Sequence, residues 1–211
     1  MRAQGKRSHA RAAVYLALLL SIPVAAAQSA DTAQPPIDNF GSVNANYYRG
    51  AQPTDHAYVD LAALGVKTVI DLQEYGDVSE PSLVEGAGMK YVRIPMNTRV
   101  PPTPEQLTSF LQLVNDAANQ PVYVHCAGGR HRTGVMTAVY RMTQDGWTAD
   151  RAFSEMKQYR FGADFLHPEF KRFVYAYHPA PAAPAETLVA TTATKYLPRS
   201  ETSSARLASV P

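Results

Sequence analysis

The sequence predicts an α/β domain built on a central, mainly parallel sheet flanked by helices, with one glycine-rich loop joining a strand to a helix. Three observations lead there. Helix and strand signals alternate from about residue 54 to residue 177, a pattern that sets parallel strands side by side with helices over both faces. The β-branched run from Val66 to Leu72 suits a buried strand. The apolar run Pro121-Val122-Tyr123-Val124 leads directly into HCAGGRHRTG, residues 125–134, and then into a helical stretch. A loop so placed belongs at the C-terminal edge of its strand, where open α/β sheets bind ligands.

Each element has its own signal. Thr54-Asp55 precede a helical stretch from His56 to Leu64 that Gly65 stops, and the strand Val66 to Leu72 follows. A short helix over Pro81 to Glu85 and a strand over Tyr91 to Pro95 come next. Thr103-Pro104-Glu105-Gln106 reads as N-cap, N1 proline and capping-box glutamine, opening a helix to about Ala118. A strand over residues 121–125, the loop, and helices over 133–144, 148–159 and 167–177 complete the pattern. No internal repeat is visible.

The two ends read differently from this middle. Residues 1–27 carry Arg2, Lys6, Arg7 and Arg11, then an apolar run from Ala12 interrupted only by Ser21 and Pro23 and closing in Ala25-Ala26-Ala27. That is the layout of a signal peptide cleaved after Ala27 or Ala30, and it implies export to a periplasm or the medium. The run is shorter than the roughly 20 residues a spanning helix needs, so no stable membrane insertion is expected after cleavage. Loss of the leader takes the formal charge from +2 to −2, because it holds four of the positive charges and none of the negative ones. A global basic field, and with it a nucleic-acid partner, is therefore not expected. Residues 28–36 read as a flexible linker, 37–178 as one domain, and 179–211, rich in Ala, Pro, Ser and Thr, as a disordered tail.

The chemistry is concentrated in the loop. Cys126 stands six positions before Arg132, with Ala127, Gly128, Gly129, Arg130 and His131 between them and Thr133-Gly134 following. Six residues at a helix N-terminus can curl so that their N–H groups converge on phosphate oxygens. Glycines permit the backbone angles and close approach this requires, and the Arg132 fork can take two of the oxygens. A thiol there, beside cations and a helix N-terminus, falls from a pKa of about 8.5 to roughly 3.5–7.5 and becomes a nucleophile toward phosphorus. Thr133 is placed to donate a hydrogen bond to the sulfur when it later departs. His125 is expected to orient the loop rather than move protons, while Arg130 and His131 either add charge for a polyanionic substrate or are solvated. With a single cysteine no internal disulfide is possible, and a free thiol kept in an oxidising compartment favours chemistry over packing. No metal or other cofactor is expected: His125 and His131 share the loop, but no HExxH or paired-cysteine spacing accompanies them.

His-Cys, five residues, Arg, then Ser or Thr and Gly is the signature of the cysteine-dependent protein tyrosine and dual-specificity phosphatases, which this chain resembles. The wider stretch is similar to the atypical dual-specificity group of plants, fungi and bacteria, through Asn39-Phe40, Tyr48-Arg49 with Ala51-Gln52-Pro53, Leu64 to Leu72, and Asn119-Gln120-Pro121. The resemblance covers roughly residues 37–178. It implies the cysteine phosphatase fold and hydrolysis of phosphate monoesters through a phosphocysteine, with Cys126, Arg132 and Thr133 as catalytic residues and residues 127–132 binding the phosphoryl group.

One departure bears on mechanism. Related phosphatases carry a general-acid aspartate on the loop entering the helix before the catalytic strand, which here is Asn97-Thr98-Arg99-Val100-Pro101-Pro102-Thr103 and contains no carboxylate. Glu105 lies just inside the helix and suits its dipole better than a leaving group. Asp71, Glu74 and Asp77, beyond a strand ending at the same edge, and Asp164, on a later turn, remain as alternatives; one of the first three could instead pair with Arg132. Without an acid, aryl esters and phosphoanhydrides should turn over better than alkyl esters, since protonation contributes about 10²–10⁴-fold and matters most for poor leaving groups. The substrates are therefore phosphorylated proteins or small-molecule phosphates. Inositol polyphosphates and pyrophosphates are the alternative, and a non-catalytic phosphate-binding module the rival of another class. The sequence gives no sign of an oligomer interface.

Overall fold

The computed structural model describes residues 34–54 and 56–179. The expected signal peptide, most of the expected linker and the expected tail beyond Pro179 lie outside the described residues. Five strands form one sheet in the order β1-β2-β5-β3-β4. They are β1 (Gly41–Asn44), β2 (Tyr47–Ala51), β3 (Thr68–Gln73), β4 (Lys90–Met96) and β5 (Val122–Cys126). Only β1 runs antiparallel to its neighbour, so the sheet is mainly parallel, as expected.

The first two strands carry weak signals. β1 is four residues long with a single buried apolar residue, Val43. β2 places Arg49 and Gly50 in the middle of a strand, which breaks any apolar run, yet it is an interior strand and both residues are buried. Gly50 answers a close approach, because a Cβ there would lie 2.4 Å from the Tyr123 hydroxyl on β5.

Helices cover both faces. Helices α1 (Ala57–Ala63) and α2 (Glu80–Gly86) pack Ala57, Tyr58, Leu61 and Val84 against Val69 and Tyr123. On the other face lie α3 (Pro104–Asn115), α4 (Arg132–Gln144), α5 (Ala149–Gln158) and α6 (Pro168–Ala176). There Phe110, Val135, Met136, Phe153 and Phe170 close over Ile70, Leu72, Val122 and Val124. Helix α4 is buried without interruption from Arg132 to Tyr140, so its N-terminus is held in the centre of the domain. Among the described residues no helix is long and apolar enough to cross a membrane.

Most local signals act as written. Gly65 takes a φ of 83° and ends α1. The capping box of α3 is formed, with Thr103 Oγ1 accepting from the Gln106 N–H at 3.2 Å and Gln106 Oε1 from the Thr103 N–H at 2.8 Å. That helix ends at Asn115, three residues before the expected Ala118: Asp116 turns to extended backbone and its Oδ1 takes the Ala118 N–H at 2.9 Å. An aspartate side chain competing for the backbone stops the helix.

Candidate active site

Strand β5 ends on Cys126, and α4 begins at Arg132, so the loop 127–131 spans the strand edge and the helix N-terminus. Among the described residues no backbone carbonyl accepts from the N–H groups of 127–131, leaving them free to meet an anion. The cradle is fixed from behind. Gly129 O accepts from Arg49 Nη2 at 2.8 Å and from Asn39 Nδ2 at 2.9 Å, and Ala127 O accepts from the Gln52 N–H at 3.3 Å. Gly129 is required by space and by angle, with a φ of 63° and a Cβ position 2.4 Å from the Gly50 carbonyl carbon. At Gly128 an added Cβ would meet only the Arg130 side chain at 3.5 Å. The close approach expected of both glycines therefore belongs to Gly129 alone.

Cys126 is a free thiol, 3% exposed. Burial pushes its pKa up, but the Thr133 hydroxyl and N–H, the Arg132 charge and the Arg130 N–H outweigh it, and the thiol sits below its ordinary value. Thr133 is fully buried, its hydroxyl has no hydrogen-bond partner among the described residues, and it stands first among the groups that lower the thiol. Arg132 Nη1 donates to the Leu72 and Met96 carbonyls, at 3.4 and 3.3 Å, at the ends of β3 and β4. Two backbone carbonyls orient the guanidinium, and among the described residues no carboxylate lies at ion-pair distance of it, so the alternative pairing with Asp71, Glu74 or Asp77 does not occur.

The remaining loop side chains divide. Arg130 is exposed and lies 3.9 Å from Asp38, which Arg160 holds more closely at 2.6 Å. His131 turns to the α5–α6 connection, with Nε2 at 3.0 Å from the Phe161 carbonyl and its ring against His167. His125 points to the opposite face of the sheet from the thiol. Its ring stacks on Tyr123, and Nε2 lies 2.9 Å from Glu80 Oε1, both side chains fully buried. Asp71 joins them, paired in register with His125. The three offer one ligand atom each within 4.8 Å. Three of the four carboxylate oxygens already accept hydrogen bonds, however: Glu80 Oε1 from Tyr58 at 3.0 Å, Asp71 Oδ1 from the Gln73 N–H at 2.8 Å and Asp71 Oδ2 from Tyr91 at 3.0 Å. The cluster is a buried brace on the other face of the sheet, in which Asp71 and Glu80 are hydrogen-bonded to tyrosines while both His125 nitrogens and Glu80 Oε2 have no hydrogen-bond partner among the described residues.

The acid alternatives separate in the same way. Asp164 is clamped by Lys157 and Lys171 at 2.7 and 2.6 Å, which hold its carboxyl below the usual range. Asp77 caps Ser79, whose side chain and N–H lower it too. Glu105 is exposed in the first turn of α3 and likewise lowered by backbone and Thr103 hydrogen bonds. Asp71 belongs to the brace. Only Glu74 reaches loop 97–103, where it accepts from Asn97 Nδ2 at 2.9 Å. Sequence reasoning gave no role to Arg49, Glu80 or His167. Of these only Arg49 carried a signal, as part of the Tyr48-Arg49 resemblance.

A thiol below its ordinary pKa, cupped by amides at a helix N-terminus and faced by an arginine, on this sheet, defines a cysteine-dependent phosphatase. Residues 23–170 match the family model described as DSP-PTPase phosphatase fused to NAD+ Kinase, and the chain belongs to that family. It is 31% identical over 158 residues to the dual specificity protein phosphatase TpbA of Pseudomonas aeruginosa, covering 72% of this chain and 71% of TpbA. It is 29% identical over 133 residues to the inositol diphosphatase SIW14 of Saccharomyces cerevisiae, covering 60% of this chain and 47% of that protein. The crystal structure of the SIW14 core catalytic domain superposes with a TM-score of 0.60 at 28% identity, over 68% of this chain and 87% of that one. That of TpbA gives 0.60 at 27% identity, over 69% and 88%.

Proposed function

We propose that this phosphatase hydrolyses aryl phosphate monoesters of the phosphotyrosine type, on proteins or small molecules, through a phosphocysteine on Cys126. The observation that carries the reading is the lowered thiol of Cys126 at the floor of a loop whose N–H groups are taken by no backbone carbonyl among the described residues. Sγ attacks phosphorus and the P–O bond to the leaving group breaks. The transferred oxygens are taken up by the amides of 127–132 and by the Arg132 fork. Water then attacks phosphorus, the P–S bond breaks, and Thr133 donates a hydrogen bond to the departing thiolate while phosphate leaves. His125 braces the loop through Glu80 and takes no proton in either step.

A second reading, hydrolysis of inositol polyphosphates or pyrophosphates, is supported by the likeness to SIW14 and by the absence of a carboxylate on loop 97–103, since a phosphate leaving group needs little protonation. Export to a periplasm or the medium is part of the proposal and rests on the leader. The experiment is a panel of phosphotyrosine peptide, phosphoserine peptide, inositol polyphosphates and pyrophosphates, run with the parent protein and with Cys126→Ser. Turnover of the aryl ester by the parent, with binding but no turnover by the variant, is expected. Turnover surviving in the variant overturns the mechanism, and binding without turnover in both leaves a phosphate-binding module.

A further inference from the structure

Arg49 is 0% exposed, in the interior strand β2 beside the strand that carries the nucleophile. One nitrogen, Nη2, donates to Gly129 O at 2.8 Å, and the guanidinium lies 3.9 Å over the Tyr159 ring. Nε and Nη1 are buried with no partner, and among the described residues no carboxylate reaches ion-pair distance of it. An arginine cannot shed its proton, so a buried unpaired guanidinium requires a negative charge close by.

The groups facing it are few. Tyr47 on its own strand and Tyr159 at the end of α5 are phenols, and burial keeps Tyr47 neutral at physiological pH. Glu155 on α5 is already held by Arg141 at 2.7 Å. Cys126 remains. The parallel register pairs Arg49 with Val124, two residues before Cys126, so the Arg49 and Cys126 side chains leave the sheet on the same face. Burial pulls the Arg49 pKa down, and Tyr47, Glu155, Tyr159 and, last, Cys126 oppose this.

We propose that Arg49 is a second cation of the site, set behind the loop, whose otherwise unanswered charge is met by the Cys126 thiolate. It is a positioning residue that acts through the sulfur and through Gly129, and it leaves Arg132 free to face the substrate. The inference rests on the phosphocysteine reading and names the residue that keeps its nucleophile ionised.

The test is the pH dependence of iodoacetamide alkylation of Cys126 in the purified parent, Arg49→Gln and Arg49→Lys, with a melting curve for each. Glutamine carries no charge and is too short to reach Gly129 O, whereas lysine keeps the charge, so the melting curves separate the loss of the Gly129 contact from the loss of charge. Arg49→Gln is expected to raise the inflection by about one pH unit, slowing alkylation roughly tenfold at pH values well below the parent inflection and hardly at all above it. Arg49→Lys should stay within a few tenths of the parent, even where its melting temperature falls as far. A Gln profile that overlays the parent, or a Lys profile shifted as far as Gln, overturns the proposal in favour of simple loop pinning. If Arg49→Gln does not fold, the Lys variant decides alone, with a free-thiol inflection counting against. A parent inflection already at the free-thiol position would instead sink the phosphocysteine reading itself.

Discussion

His131, in the signature loop, and His167, immediately before α6, lie against one another with ring centroids 3.7 Å apart and planes tilted by 37°. His131 Nε2 meets the Phe161 carbonyl, and His167 Nδ1 lies 3.2 Å from the Thr98 carbonyl and 3.3 Å from Glu169. One pair of imidazoles thus ties the phosphate cradle, the α5–α6 turn and loop 97–103 together. The loop that lacks an acid is therefore anchored to the cradle.

That contact gives a pH dependence of defined sign. Burial lowers the His131 pKa first, the neighbouring His167 next, with Arg130 and Arg132 adding to it against the Phe161 carbonyl. A histidine depressed in the native state binds its proton more readily when unfolded, so its contribution is complete above the unfolded value of about 6.5 and is lost as pH falls through the native one. The urea midpoint should drop between pH 7 and pH 5. Replacing His167 with Asn removes one repelling charge, and the drop should shrink. Equal slopes for parent and variant would show that the pair is not coupled. Asp77 and Asp164, both lowered, act in a separate window below the usual carboxylate range.

Adjacent glycines should respond very differently to alanine. At Gly129 the left-handed backbone and the Gly50 carbonyl both oppose a Cβ, and Gly129→Ala should lose about 2–4 kcal/mol with a large fall in kcat/KM. Gly128→Ala meets only a movable arginine and should change stability by no more than about 0.5 kcal/mol. Denaturant titration and aryl phosphate kinetics on the two variants check this. Similar behaviour would mean that the loop is not pressed against β2 as described.

The division between what was legible in the sequence and what was not follows the range of the interactions. The loop, the capping box and the Gly65 stop are written within ten residues, where spacing alone specifies geometry. The strand β2 was hidden because its burial depends on partners far away: Gly50 fits under Tyr123, and Arg49 is solvated by a loop carbonyl 80 residues on. Glu80 sits 45 positions from His125 in a stretch that reads as an ordinary polar helix start, and only the crossing of α2 over the sheet brings the two together. Asp71, Glu74 and Asp77 stand out in the sequence by following a strand end and Asp164 by lying on a turn, signals that say nothing of the lysines that neutralise Asp164.

The brace beneath the loop should be sensitive to truncation and tolerant of an isostere. Glu80→Ala strips a partner from the Tyr58 hydroxyl and from His125 in a fully buried site, and should lose about 2–4 kcal/mol. Glu80→Gln keeps the shape and an acceptor for Tyr58, and should lose about half as much. If His125 serves to hold the loop, kcat/KM per folded molecule should fall for Ala and recover for Gln. A loss of rate equal in the two would instead mean that an isosteric acceptor does not suffice and that the carboxylate itself is needed.

Removal of the Thr133 hydroxyl should separate the two chemical steps. Leaving-group release precedes any need for Thr133 to stabilise departing sulfur, so kcat/KM of Thr133→Ala on an aryl phosphate should change little at neutral pH. Breakdown of the phosphocysteine loses a hydrogen bond to a charged leaving group, worth about 1.5–3 kcal/mol, or roughly 10- to 100-fold in kcat. Rapid mixing should then show a burst of one equivalent of phenol followed by a slow steady state, with phosphate bound covalently to Cys126. Because the same hydroxyl helps hold the thiol below its ordinary pKa, kcat/KM should begin to fall behind the parent only as pH is lowered. A kcat unchanged by the substitution, with no burst, would place the rate-limiting step elsewhere and remove Thr133 from the second displacement.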